Sequence, residues 1–139
     1  MTLLGRESLL KKESLEVIKV DLGKKEFVYV REMTGRERDR FEQLLIKKIK
    51  KGNKIDFEQT LDDFRAKLVV STVCNKEGER LLTTADFPAL SENMGAVKLM
   101  KIADAAGKLN GISEEDKEEM TKNLEGGQDE GSSSASAKN

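Results

Sequence analysis

Leu68-Val69-Val70-Ser71-Thr72-Val73-Cys74 is apolar or small at every position, in a 139-residue chain whose other apolar clusters are short and broken by lysine and glutamate. Such a segment has no side to give to water, so it must be enclosed, as a helix entering the core on several faces or as a buried strand. A helix is expected, because the stripe Phe57, Leu61, Phe64 and Leu68 leads into the segment at helical spacing. The length suits one domain, which buries well over half of its unfolded surface.

Around that segment the pattern predicts an α+β fold that is mostly helical: an N-terminal β-hairpin, four to five helices, and a disordered C-terminal tail. After an arm at 1–14, Leu15–Val20 and Glu26–Arg31 are β-branched and aromatic, with Asp21–Lys25 able to turn the chain, which gives a hairpin over 15–31. Thr34-Gly35-Arg36-Glu37 matches a capping box, in which hydroxyl and carboxylate satisfy the first helical amides. A helix over about 35–51 follows, with Phe41, Leu44, Leu45 and Ile49 on one face and Lys50-Lys51-Gly52-Asn53 ending it. Asp56 is the expected cap of a helix over 57–74, with Asp63 and Lys67 spaced as an exposed i,i+4 pair. A polar turn at 75–80 leads to a short helix over 84–90, where Pro88 falls in the first turn. Ser91 is expected to open a helix over 92–109, and Ser113-Glu114-Glu115-Asp116 a last, acidic one over 114–124 with Met120 and Leu124 as anchors. Residues 125–139 are low in complexity and expected to be disordered. The domain proper is thus 15–124.

The chemistry on offer is narrow. The chain has no histidine, no tryptophan and one cysteine, so the usual groups for proton transfer, nucleophilic attack and metal ligation near neutral pH are nearly missing. The glycines from Gly5 to Gly111 are scattered singly, so the chain has neither a P-loop nor a dinucleotide fingerprint. The acids from Glu114 to Glu119 lack the alternating oxygen ligands and central glycine of a calcium loop. Cys74, at the end of an apolar run, is expected to be a packed core residue. No catalytic, cofactor-binding or metal-binding residue is assigned, and no cofactor is expected; the chain is read as a binder and not an enzyme.

Net charge is only −1, yet its distribution is polarised: basic residues dominate Arg36–Lys54 and acids dominate Glu114–Glu130. Glu37, Asp39 and Glu42 interleave with the arginines and would repel a polyanion, so the basic segment is expected to be a solvated face, with neither nucleic acid nor membrane as partner. No apolar run approaches the roughly 18 residues that would span a bilayer, and the N-terminus carries Arg6 and Glu7 where a signal peptide would stay apolar. A reducing cytoplasm is expected.

The ordered series itself resembles a known family. A hairpin running into Val30-Arg31-Glu32-Met33-Thr34-Gly35-Arg36-Glu37, then Ala66–Val73 with Asn75-Lys76-Glu77-Gly78, then Thr83-Thr84-Ala85-Asp86, then Leu109-Asn110-Gly111-Ile112-Ser113, resembles the tail assembly chaperones of long-tailed bacteriophages and phage-like elements over about residues 15–124. The resemblance implies binding to the long helical tape measure protein, recruitment of tail tube subunits, and absence from the mature virion after work in the bacterial cytoplasm. It also implies possible self-association and association with a longer frameshifted form. Arg36 and Arg40, or Phe87, Leu90 and Met94, are the expected contact residues on physical grounds: a modest apolar or methionine-bearing patch ringed by charge. Two other classes compete: a small helical nucleic-acid-binding regulator, whose binding would weaken steeply with salt, and a structural tail or virion component, which would persist in mature particles.

Overall fold

The computed structural model describes residues 1–112 and 116. Among them lie five α-helices and five strands in two sheets: α1 (Arg6–Leu10), β1 (Val17–Gly23), β2 (Glu26–Arg31), α2 (Gly35–Leu44), β3 (Ile46–Lys51), β4 (Lys54–Gln59), α3 (Phe64–Thr72), β5 (Val73–Cys74), α4 (Phe87–Asn93) and α5 (Ala96–Leu109). A one-turn 3-10 helix, Thr84–Asp86, leads into α4. The largely helical fold expected above is therefore corrected. A short helix, not the hairpin, comes first, and strands occupy ground expected to be helical.

β1 and β2 pair antiparallel, and β5 adds to β2 through Tyr29 opposite Cys74 and Val30 opposite Val73. The strand alternation sends Ile18, Val20, Val28 and Val30 inward, where they join Leu68, Val69, Ile102 and Ala106 of α3 and α5 in one core. The outward side carries Lys19 opposite Tyr29 and Asp21 opposite Phe27, with the Lys19 ammonium 4.3 Å from the Phe27 ring centre. α3 is the central helix, buried from Ala66 to Thr72, and each large apolar side chain enclosed around it contributes about 1.5–3 kcal/mol. Ser71 and Thr72 return their hydroxyls to the carbonyls of Lys67 and Leu68, which lets a polar pair sit in that core. The all-apolar segment thus takes both forms in turn, helix to Thr72 and strand at Val73–Cys74.

The Thr34 capping box is present, with Thr34 Oγ1 accepting from Glu37 N and the Glu37 carboxylate accepting from Thr34 N. α2 nevertheless stops at Leu44 and not near 51. Phe41 and Leu45 complete its buried side, and continuing the helix would stack Lys47, Lys48, Lys50 and Lys51 at like-charge i,i+3 and i,i+4 spacings. The chain instead forms a two-stranded ribbon, β3–β4, in which Lys47 faces Glu58 and the Lys51 ammonium lies 3.8 Å from Asp56. Gly52, expected to end a helix, turns this ribbon at φ +61°.

Asp56 therefore lies in β4 and caps nothing, and the expected helix over 57–74 shortens to α3, preceded by Asp63 in the left-handed region at φ +56°. The Asp63–Lys67 pair is replaced by two contacts to α4: the Ser91 hydroxyl donates to Asp63, and Lys67 lies over the Phe87 ring at 5.1 Å. Ser91 lies inside α4, not at a helix start. The chain breaks at Met94–Gly95, and α5 begins at Ala96. The expected helix over 114–124 and the tail at 125–139 lie outside the described residues, Asp116 excepted.

Candidate functional site

α4 is short because Pro88 sits in its first turn and Gly95 follows its end, and it is held on α3 through Phe87, Leu90 and Met94, which all pack on the core. These three expected contact residues are half-buried, so part of each side chain is already committed to folding. What remains open is a groove of about 630 Å³, lined by Leu82, Ala89, Leu90, Asn93, Met94 and Gly95 and rimmed by Asp86 and Lys98. Its floor is apolar and its rim carries one charge of each sign. Lys98 is ion-paired with Glu26 of β2 at 3.1 Å.

Arg36 and Arg40 are exposed on α2. Arg40 lines a second cleft with Glu37, Ser71, Arg80, Thr83 and Thr84, and Leu82 forms a wall of both cleft and groove. The structure therefore brings Arg40 to one side of Leu82 and Leu90 with Met94 to the other. Arg36 lines neither cavity. Below Arg40, Glu37 binds two arginines: Arg31 at 2.6 Å and Arg80 at 3.7 Å, with Arg80 also donating to the Val70 carbonyl. One carboxylate between two guanidinium groups ties α2 to β2 and to the segment after β5, and so fixes the cleft wall.

Sequence reasoning passed over Leu82, which lies in an extended stretch without periodicity, and Arg80 and Glu37, whose pairing spans distant elements. Two further surfaces were also missed. Every residue of the arm from Met1 to Ser14 is exposed, including Leu3, Leu4, Leu9 and Leu10. On the β3–β4 ribbon, Ile46, Ile55 and Phe57 are 51%, 58% and 66% exposed. The signal available for the ribbon was Gly52-Asn53 between two lysine- and isoleucine-bearing runs.

Cys74 is buried in β5. Burial pushes its thiol above the ordinary value near 9.0, with the positive charge of Arg31 opposing in part. The thiol is therefore neutral at physiological pH and inert as a nucleophile. Among the described residues no group of three or more histidine, cysteine, aspartate or glutamate side chains is placed to hold a metal ion, and no helix is long and apolar enough to cross a membrane.

No family model, curated protein or solved structure matches this chain.

Proposed function

We propose that the chain is a non-enzymatic assembly chaperone of the phage-tail type, binding a tape measure protein, keeping it soluble and helping to recruit tail tube subunits in the bacterial cytoplasm. The observation that carries this reading is the α4 groove: an open apolar trough with a methionine in its wall and opposite charges on its rim. Such a trough suits one face of an amphipathic helix, which presents apolar side chains at i, i+3, i+4 and i+7 between polar ones. A long helical partner offers many such faces, so weak contacts by many copies add up along it and can still be released one at a time. The exposed leucines of the arm support self-association of those copies.

Co-expression with the tape measure protein of the same element tests the proposal. The tape measure protein is expected to be soluble only when this chain is present, and purified mature particles are expected to lack the chain. Insolubility in both conditions, or stoichiometric retention in particles, overturns it; retention would identify a structural tail component. The ribbon favours a second reading, nucleic-acid binding, because a two-stranded β-ribbon fits the DNA major groove and this one carries five lysines against Asp56 and Glu58. Binding to duplex DNA that weakens steeply between low and physiological salt would support it.

A further inference from the structure

Leu82 walls both the α4 groove and the cleft beside Arg40, so a ligand resting on Leu82 meets both. The two cavities differ in chemistry. The groove has an apolar floor, whereas the cleft, about 510 Å³, is lined by Glu37, Arg40, Arg80 and Thr84 among others. Its charges do not cancel. Glu37 is held at 2.6 Å by Arg31, which lines neither cavity, and only at 3.7 Å by Arg80. Arg31 therefore neutralises most of that carboxylate, and Arg80 keeps most of its charge. Arg40 is exposed and makes no ion pair among the described residues. The other acids of α2 give it nothing: Glu42 is paired with Arg38 at 3.1 Å, and Asp39 lines neither cavity. On the groove side stands Asp86, which accepts from the Thr83 amide at 2.8 Å. Excess charge beside Leu82 is thus positive and lies on the cleft side.

We propose that the α4 groove selects helices that carry a glutamate or aspartate beside the apolar residue seated on Leu82, with that carboxylate bound by Arg40 and Arg80. This inference rests on the reading of the groove as a helix-binding trough and adds a charge rule to it. A helix with its side chains is about 10–12 Å across, so one seated on Leu82 overhangs the cleft mouth. A guanidinium takes a carboxylate through two parallel hydrogen bonds, and Thr84 at the cleft adds a hydroxyl donor. Because Arg40 is exposed, the contact adds little affinity by itself and acts mainly on choice and register. A basic residue in that place meets Arg40 with like charge, and an acid on the opposite flank of the bound helix meets Asp86.

Two synthetic amphipathic helices test the rule. Both carry the same leucine stripe at i, i+3, i+4 and i+7; one flank of the stripe bears glutamate in the first and glutamine in the second. Their affinities for the full chain are read by fluorescence anisotropy in about 0.1 M salt, where the Debye length is about 10 Å. The glutamate peptide is expected to bind at least about fivefold tighter. Arg40→Glu, and to a lesser degree Arg40→Gln, should remove that preference while the glutamine peptide still binds. Arg36→Glu makes the same charge change at a residue lining neither cavity and should leave the preference in place. Ala89→Arg should abolish binding of both peptides. Equal affinities, or a preference that Arg36→Glu removes as fully as Arg40→Glu, overturn the charge rule while the groove reading stands. Binding of neither peptide, or binding untouched by Ala89→Arg, overturns the groove reading and the charge rule with it.

Discussion

Two antiparallel hairpins in this chain have opposite fates. β1–β2 turns through Lys24 and Lys25, both forced to positive φ at +52° and +62°, whereas β3–β4 turns through Gly52, to which such a conformation costs little. The hairpin with the unfavourable turn is the one built into the core: Val30 is fully buried, and α5 lies along both strands. The hairpin with the favourable turn stands out from the body. Tertiary burial tolerates a poor local turn in the first, while the second depends on its turn and on cross-strand pairs such as Lys47 with Glu58. Core packing and solvent-exposed apolar surface are thereby separated in space between the two hairpins. The buried hairpin fixes the groove and cleft, and the ribbon is free to carry a surface.

The strongest way to break this contrast is to place a carboxylate on each hairpin. Val30→Asp buries an unpaired charge and is expected to abolish cooperative thermal unfolding. Phe57→Asp on the ribbon is expected to change stability by no more than about 0.5 kcal/mol in denaturant titration. Equal losses would show that the ribbon is part of the core. Glu37→Gln removes the shared partner of Arg31 and Arg80 and is expected to cost about 1–3 kcal/mol, which a urea midpoint would report. Replacing Lys24-Lys25 with Asn-Gly relieves the strained turn and should raise stability by about 0.5–1 kcal/mol, whereas Gly52→Ala should lower hydrogen-exchange protection in β3 and β4 alone. The smallest effect belongs to Cys74. Its thiol value is raised on folding, so the folded state holds the proton more tightly than the unfolded chain. That contribution is complete below the unfolded value near 9 and is lost as pH rises through the folded one. A stability profile should therefore fall above about pH 9, and fall less in Cys74→Ala.

The first hairpin was legible because its apolar residues alternate and its sheet has one dry side. The Thr34 capping box was legible because it is local, four residues long, and chemically reciprocal. The ribbon was not. Ile46 and Ile49 lie three apart among lysines, a spacing that fits a helix as well as a strand, and a glycine with positive φ ends helices and turns hairpins alike. Phe87, Leu90 and Met94 stand out in the sequence as a modest apolar, methionine-bearing patch ringed by charge, although the expected helices over 84–90 and 92–109 put Leu90 and Met94 on different elements. Leu82, the wall common to groove and cleft, carries no periodicity, and the Glu37 link to Arg80 joins residues that only the fold brings together.

Capture with an Ala89→Arg variant tests the central claim, that the α4 groove binds the tape measure protein, most directly. Ala89 is exposed and lines the groove without joining the core, so a long side chain there fills the trough and leaves the fold intact. Tagged wild-type protein should co-purify the tape measure protein from cells producing the parent element, and Ala89→Arg should lose at least about tenfold of that recovery, or about 1.4 kcal/mol, with an unchanged melting temperature. Full recovery with the variant, or no tape measure protein with the wild type, would contradict the account.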